Sequence, residues 1–181
     1  MNKIVAIYFL GFMVFGLLIT LNDFVGESSS DKSKKSLEKA TFAGGCFWCM
    51  QPPFDKLPGV ISTTEVYCEG EEQNPDYKQV SAGKTGHAEA IEVVYDPSRI
   101  SYAQLLDVFW RNIDPTQKDG QFKDIGRQYR TAIFYHNEEQ RRLAEASKEE
   151  LGKSGRFAKE IVTEIVPATT FYEAEEYHQD Y

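Results

Sequence analysis

Cysteine is scarce in this sequence and positive charge is not in excess, and each shortage excludes a class of protein. The 181 residues include 3 cysteines. Three are too few for the disulfide framework of a small secreted scaffold, and an odd number leaves at least one thiol free. Lys and Arg total 20 against 28 Asp and Glu, a net charge of −8 that argues against nucleic acid as a partner. What remains is a composition typical of a single globular domain.

The amino-terminal 38 residues differ from the rest of the chain. Residues 4–21 form an uncharged apolar run after Lys3. Such a run spans a bilayer marginally and also fits a secretory signal, so we predict that residues 1–21 are a signal peptide or an N-terminal membrane anchor. Residues 22–38 are rich in serine and charge, which predicts a flexible tether. Residues 39–181 are then an exported domain, periplasmic or otherwise extracytoplasmic, and anchored to the inner membrane if the run is retained.

Within the domain, strand and helix patterns alternate. Alternating or β-branched runs predict strands, and a 3.6-residue apolar period predicts helices. The predicted elements are strand 39–43, helix 46–57, strands 60–68 and 89–95, helix 101–112, strand 129–135, helix 138–152 and strand 161–166. This order indicates an α+β fold, a two-layer ferredoxin-like α/β plait with an additional C-terminal helix and strand. Pro52 and Pro53 interrupt the first helix, so either it kinks there or its first turn is separate.

The candidate chemistry centres on residues 44–49, whose sequence is GGCFWC. The glycines allow a tight strand-to-helix turn, which would put Cys46 at the amino end of a helix, where N–H groups and the helix dipole favour a thiolate. The thiolate is the reactive form, so Cys46 is a candidate nucleophile. The spacing also leaves open a zinc site completed by Cys68 and His87, a Cu(I)-carrying module of the same topology, and a general disulfide oxidoreductase.

Four other polar residues are candidates on weaker grounds. Glu89 stands at the start of an apolar strand, where burial would raise the pKa of its carboxyl and make it a proton donor near neutrality. Spacing alone favours a solvated carboxylate at a strand end. Tyr77, Asp124 and Tyr129 lie in loop-like segments, where such side chains mostly pack and hydrogen-bond locally.

Taken together, these segments resemble the peptide methionine sulfoxide reductases of the A type, which reduce methionine-S-sulfoxide to methionine. The matching motifs are GCFW at 45–48, NPxY at 74–77, GHAEA at 86–90, YDP at 95–97, VFW at 108–110, DP at 114–115, GxQYR at 126–130, TEI at 163–165 and HQxY at 178–181. They run in family order over residues 39–181, nearly the whole domain after the tether.

The resemblance implies a role for each matching polar residue. Cys46 attacks the sulfoxide sulfur and becomes a sulfenic acid, the first product of thiol oxidation. Glu89 protonates the sulfoxide oxygen. Tyr77 and Tyr129 hydrogen-bond that oxygen, as donors aimed at developing charge. Asp124 has a supporting role near the site. The family implies no metal and no cofactor; the substrates are oxidised proteins and free methionine-S-sulfoxide, and the protein is expected to be a monomer.

The resemblance also explains the aromatic pair and raises a question about recycling. Phe47 and Trp48 form the apolar slot for the S-methyl group of the substrate. Many family members have Gly where this chain has Cys49, and they regenerate through cysteines near the carboxyl end, whereas this chain has no cysteine after Cys68. Cys49 lies one helical turn from Cys46, so we predict Cys49 to be the resolving thiol in preference to Cys68, with a thioredoxin-like reductant.

Overall fold

The computed structural model describes residues 36–179. The signal peptide or anchor predicted for residues 1–21, and all but the last residues of the predicted tether, lie outside this part of the chain. Within residues 36–179, no helix is both long enough and apolar enough to cross a membrane.

The described chain forms eight strands, four α-helices and two 3-10 turns. The strands are β1 (Glu38–Gly44), β2 (Val60–Cys68), β3 (Ala88–Tyr95), β4 (Gly120–Gln121), β5 (Asp124–Ile125), β6 (Thr131–Tyr135), β7 (Glu164–Pro167) and β8 (Phe171–Glu173). The helices are α1 (Phe47–Asp55), α2 (Tyr77–Ser81), α3 (Tyr102–Arg111) and α4 (Glu138–Lys153). The 3-10 turns are at Arg127–Tyr129 and Glu176–His178.

Six of the strands form one sheet in the order β7-β6-β1-β3-β2-β8. All neighbours are antiparallel except β6 and β7, which are parallel. Its four central strands, β6-β1-β3-β2, place β3 between β1 and β2, and β1 between β3 and β6. This is the arrangement of two split β-α-β units, with α1 and α3 as the crossovers. The predicted α+β architecture is therefore confirmed, with α4 and β7 as the additional elements.

The helices contribute to a core on one face of the sheet. That core combines strand residues such as Phe42, Tyr67, Ile91 and Val93 with Phe47, Met50 and Phe54 of α1 and Leu105 and Phe109 of α3. A smaller cluster joins Ala43, Val66, Cys68, Ala88, Ala90, Ala132 and Phe134, with Val166, Ala168 and Phe171 packed against it. Because successive side chains of a strand point to opposite faces, Tyr67 and Cys68 contribute to different clusters.

Three short elements differ from the sequence predictions. The polar stretch after residue 76 begins with α2, which is started by a capping box in which Asp76 and Gln79 bond each other's backbone N–H. The loop predicted at 114–127 contains the β4–β5 hairpin, and β8 adds an edge strand to β2. α1 is one helix with Pro52 and Pro53 inside it. Burial of Phe47, Met50 and Phe54 offsets the backbone bonds that the two prolines remove.

Candidate active site

Cys46 lies in the turn between β1 and α1 and is the N-cap residue of that helix. Its carbonyl accepts hydrogen bonds from the backbone N–H groups of Cys49 at 3.0 Å and Met50 at 3.3 Å. Gly45 precedes it with φ +96°, and a Cβ at Gly45 would meet Cβ of Gln121 at 2.7 Å. Glycine is required here because the turn needs a positive φ and the β4 strand approaches closely. The turn holds Cys46 half-buried beside the main core.

The expectation that the helix terminus stabilises a thiolate at Cys46 is wrong. Burial, followed by the negative charge of Glu89, raises the pKa of the Cys46 thiol to about 11. The N–H groups of Trp48 and Cys49 act in the opposite direction but do not outweigh these two effects. Cys46 is therefore a thiol at neutral pH, and it needs a proton acceptor before it can act as a nucleophile.

Glu89 is the carboxyl group whose charge acts on this thiol. It lies on β3, opposite Tyr67 of β2, and only 1% of its surface is exposed. Burial raises the pKa of its carboxyl to about 7; the hydrogen bond from Phe47 lowers the pKa and the charge of Asp124 raises it. The N–H of Phe47 donates to Oε2 at 3.3 Å, while Oε1 has no hydrogen-bond partner within the described residues. The sequence alone favoured a solvated carboxylate, and the structure places Glu89 inside instead.

The structure brings the three loop candidates to the same place. Burial, then the charge of Glu89, raises the pKa of Tyr129 to about 12, and Tyr77, Asp124 and Cys46 act on it in the same direction. The pKa of Tyr77 is also raised, by burial and then by Glu89. Both tyrosines are half-buried, and Asp124 is exposed at the start of β5. Two phenol donors therefore share the electrostatic environment of the thiol and the carboxyl.

Arg130 fixes the backbone that carries Tyr129. Arg130 is 4% exposed. It donates to Glu69 Oε2 at 2.5 Å and to the carbonyl of Arg127 at 2.9 Å. Because the Glu69 carboxylate and the Arg127 carbonyl hold this buried cation in place, Arg130 is a rigid support for the neighbouring Tyr129.

An aromatic wall surrounds Phe47 and Trp48, and it includes a residue to which the sequence assigned no role. The His178 ring lies 4.2 Å from the ring of Tyr77, 5.2 Å from Trp48 and 5.3 Å from Phe47. Trp48 Nε1 donates to the carbonyl of His178 at 3.2 Å. His178 is 1% exposed, and burial lowers the pKa of its imidazole. A neutral ring thus completes an apolar slot of the kind a methyl group prefers.

Glu175 is the second residue that sequence reasoning missed. Its Oε1 accepts from the N–H of Tyr77 at 2.9 Å, and its Oε2 accepts from the hydroxyl of Tyr67 at 2.8 Å. Partial burial acts to raise the pKa of Glu175, but these hydrogen bonds outweigh burial and lower it. Glu175 therefore joins the start of α2 to β2 beneath the aromatic slot. The only signal in the sequence was its position three residues before the HQxY motif.

The two candidate resolving thiols have opposite environments. Cys49 is exposed and lies on the first turn of α1, where its N–H bonds the Cys46 carbonyl. Cys68 is 5% exposed in the smaller cluster, on the face of the sheet away from Cys46. Burial, then the charge of Glu92, raises the pKa of the Cys68 thiol to about 12.

The residues considered for zinc do not converge. His87 uses both ring nitrogens on the 69–72 loop: Nδ1 accepts from Gly70 N–H at 3.1 Å and Nε2 bonds the Glu72 carbonyl at 2.9 Å. Cys68 is on the other face of the sheet from Cys46. Among residues 36–179, no group of three or more His, Cys, Asp or Glu side chains has the arrangement of a metal site.

The family model for peptide methionine sulfoxide reductase matches residues 38–181. The chain belongs to this family. The predicted resemblance and enzyme class, peptide-methionine (S)-S-oxide reductase, are confirmed.

Named bacterial relatives cover most of the chain. A peptide methionine sulfoxide reductase MsrA of Listeria innocua is 57% identical over 149 residues, which are 82% of this chain and 84% of the relative. The MsrA of Ligilactobacillus salivarius is 56% identical over 146 residues, 81% of this chain and 85% of that protein.

Solved structures agree with the fold. The reduced form of Mxr1 from Saccharomyces cerevisiae has a TM-score of 0.71 at 35% identity, covering 78% of this chain and 82% of Mxr1. Methionine sulfoxide reductase A of Corynebacterium diphtheriae has a TM-score of 0.71 at 33% identity, covering 80% and 73%. Mxr1 has also been solved in complex with Trx2; that chain has a TM-score of 0.55 at 28% identity, covering 77% of this chain and 82% of its own length.

Proposed function

We propose that this enzyme reduces methionine-S-sulfoxide, in oxidised proteins and as the free amino acid, with Cys46 as the nucleophile and Glu89 as the proton donor. The observation that carries the proposal is the buried Glu89, whose pKa is raised by burial to about 7 and whose charge acts on the Cys46 thiol. A sulfoxide is a poor electrophile until its oxygen is protonated, so thiolate and acid must act in one site.

In the first half-reaction, the thiol proton of Cys46 passes to Glu89, which leaves a thiolate facing a carboxylic acid. The raised pKa of Glu89 reduces the free-energy cost of this transfer. The thiolate attacks the substrate sulfur while Glu89 returns the proton to the sulfoxide oxygen, which Tyr77 and Tyr129 hydrogen-bond. The sulfur–oxygen bond of the sulfoxide and the transient bond between the two sulfurs then break as the OH group passes to the Cys46 sulfur, so that methionine is released and Cys46 becomes a sulfenic acid. The methionine sulfur gains two electrons and Cys46 loses two.

In the second half-reaction, Cys49 loses its thiol proton and attacks the Cys46 sulfenic acid, a disulfide forms, and the hydroxyl group leaves with that proton as water. Cys49 is exposed and one helical turn away, whereas Cys68 reaches Cys46 only if the sheet opens. A dithiol protein of the thioredoxin type then reduces the disulfide, and the complex solved between Mxr1 and Trx2 supports this choice of reductant. No metal or cofactor takes part in either half-reaction, and the enzyme acts as a monomer.

The recycling step is tested with separate diastereomers and separate reductants. With dithiothreitol, the enzyme should consume the S sulfoxide of methionine and leave the R sulfoxide. With thioredoxin, Cys49→Ser should stop turnover after one methionine per enzyme, while the matched variant Cys68→Ser should continue. Undiminished recycling by Cys49→Ser would exclude Cys49 as the resolver, and consumption of neither diastereomer would overturn the proposed function.

We further propose that the enzyme works outside the cytoplasm, held or delivered by residues 1–21. The support is the uncharged apolar run at 4–21 with Lys3 on its amino side. Cell fractionation and the mass of the mature protein test this. Recovery of the full-length chain in the cytosol contradicts export, and a mass lacking the run indicates a cleaved signal.

A further inference from the structure

Exposed apolar side chains in the described chain are concentrated beside the candidate active site. Within residues 36–179, the large hydrophobic side chains that are exposed are Leu37 (51%), Ile61 (53%), Phe122 (68%), Ile125 (72%) and Tyr177 (66%). Phe122 and Ile125 flank Asp124 on the β4–β5 hairpin, and the ring of Tyr177 lies 4.2 Å from that of His178. Apolar exposure next to a catalytic slot is a feature of interaction surfaces.

The hairpin is anchored against the turn that carries the nucleophile. Gln121 packs closely against Gly45. A Cβ added at Gly45 would lie 2.7 Å from the Cβ of Gln121. The side chain of Gln121 accepts from Asp114 N–H at 2.8 Å and donates to the Asp114 carbonyl at 2.8 Å. Phe122, the next residue, therefore has a fixed place near Cys46.

The backbone of Phe122 is held in a conformation that non-glycine residues avoid. Its φ is +52°. The N–H of Phe122 donates to Gln117 Oε1 at 2.7 Å, and Gln117 Nε2 donates to the Phe122 carbonyl at 3.3 Å. These two hydrogen bonds stabilise Phe122 in the left-handed conformation, although this conformation leaves its side chain exposed.

We propose that Phe122 and Ile125, with Tyr177 beside His178 of the slot, form a rim that binds apolar side chains next to a methionine sulfoxide in a polypeptide. This proposal rests on the proposed function. In the proposed function the aromatic slot holds the S-methyl group, which is the end of the methionine side chain. A methionine within a chain brings its neighbours to the mouth, because adjacent residues of an extended chain are about 3.3 Å apart along it. The rim lies beside the slot, because the charge of Asp124 acts on Glu89 and Tyr129 and the ring of Tyr177 contacts that of His178, so these neighbours contact the rim.

The rim acts on binding and leaves the chemical step unchanged. Its contacts are with parts of the substrate that do not react, so they stabilise bound substrate and transition state equally. Loss of such contacts raises KM and leaves kcat as it was. A small substrate without neighbouring side chains is unaffected.

The test uses three substrates, the full chain and dithiothreitol as reductant, which removes any effect of thioredoxin binding. The substrates are N-acetyl-methionine-S-sulfoxide, a pentapeptide with leucines on both sides of the sulfoxide, and the same pentapeptide with serines. The variant is Phe122→Ser with Ile125→Ser. The matched control is Ile61→Ser, since Ile61 is exposed on β2 but six residues, about 20 Å of strand, from Tyr67 beneath the slot.

The double variant should raise KM for the leucine peptide by about fivefold to tenfold, the range expected when two partly covered apolar side chains are lost. Its kcat, and both constants for the serine peptide and the N-acetyl substrate, should match those of the wild type. The control should leave all three substrates unchanged. Far-UV circular dichroism and turnover of the N-acetyl substrate report that the variants are folded.

Three results overturn the proposal without touching the proposed function. In the first, the wild type reduces both peptides with equal KM. In the second, the double variant keeps the preference for leucine. In the third, the double variant is slowed only when thioredoxin replaces dithiothreitol, which would mean that the rim binds thioredoxin and not the peptide substrate. If the double variant is unfolded, the single variant Ile125→Ser replaces it, and the comparison of peptides on the wild type still applies. Wild-type enzyme that reduces none of the substrates contradicts the proposed function itself.

Discussion

Glu89 and Cys46 lie in one site, and the charge of Glu89 adds to the effect of burial on the thiol. The carboxylate raises the pKa of the thiol, and burial raises the pKa of the carboxyl to about 7. Between about pH 7 and about pH 11 the pair therefore holds a single proton. The reactive arrangement that we propose, thiolate with carboxylic acid, holds the same number of protons as the arrangement of thiol with carboxylate.

Removing the charge of Glu89 should make Cys46 easier to alkylate and should slow sulfoxide reduction. In Glu89→Gln, the thiol pKa of Cys46 should fall below about 11, because the neighbouring negative charge is gone. Sulfoxide reduction should nevertheless decrease by about 10²-fold or more, because the proton donor is gone. Iodoacetamide alkylation against pH, in a Cys49→Ser and Cys68→Ser background, measures the first effect. An unchanged alkylation profile contradicts the coupling.

The pH dependence of methionine formation in a single turnover should reflect the same pair. Below about pH 7 both groups are protonated, and the thiol has no acceptor for its proton. We expect kcat/KM to rise as pH increases through about 7 and then to reach a plateau. In Glu89→Gln, kcat/KM should not rise through this pH range. A rate that decreases through the same range would mean that the reactive enzyme carries two protons.

Glu175 should act through Tyr77. Replacing it with Ala removes the acceptor of the Tyr77 N–H and of the Tyr67 hydroxyl. We expect about a tenfold loss of kcat, since one displaced donor to a developing oxyanion costs up to about 10² or more. Tyr67→Phe is the matched control, because it removes one of these bonds and leaves Tyr77 held. Equal kcat in both variants contradicts a positioning role, and urea unfolding separates loss of stability from loss of catalysis.

For single residues, the sequence predicted which side chains form the site better than it predicted their protonation states. The family motifs identified Cys46, Glu89, Tyr77 and Tyr129, which the structure brings together. The thiol pKa was predicted in the wrong direction, because burial and the charge of a residue 43 positions away outweigh the local helix terminus. Glu175 was missed because its partners are far away in sequence.

Among the elements, the turn between β1 and α1 is the one on which the site depends most. Gly45→Ala places a side chain at φ +96° and against Gln121. The backbone strain alone costs about 1–2 kcal/mol, and movement of the β4–β5 hairpin adds to it. Gly155→Ala is the matched control, since Gly155 has φ +72° with no atom within 4 Å of the added Cβ. Urea unfolding should show a larger loss for Gly45→Ala, and only that variant should also lose turnover; equal losses would contradict the contact.

Long elements were predicted well because packing and pattern agree there. β2 has the predicted bounds, and α3 starts after its Ser101 cap, as expected. Short elements were missed because their stabilisation is not periodic. The five-residue α2 depends on a capping box, and the β4–β5 hairpin depends on the side chains of Gln117 and Gln121. Continuity of α1 across two prolines depends on tertiary burial, which no local propensity contains.

Considered as a whole molecule, the sheet separates the chemistry from the third thiol. Cys68 lies in the smaller cluster, and burial raises the pKa of its thiol to about 12. In a Cys46→Ser and Cys49→Ser variant, we expect a disulfide reagent to label Cys68 only as the domain unfolds. The labelled fraction should follow the circular dichroism transition in urea. Rapid labelling in native buffer would contradict the buried position.

The contacts of residues 174–179 have a consequence for the order of biosynthesis. Gln179 exchanges two hydrogen bonds with the backbone of Glu65, and Glu175 and His178 complete the wall of the slot. A ribosome makes every strand of the sheet before it makes this segment. A nascent chain can therefore assemble its sheet while the aromatic slot is still open on one side, and Cys46 acquires its finished surroundings only after residues 174–179 have been made. Translation that stops shortly after β8 would yield a sheet with a thiol but without a reductase site.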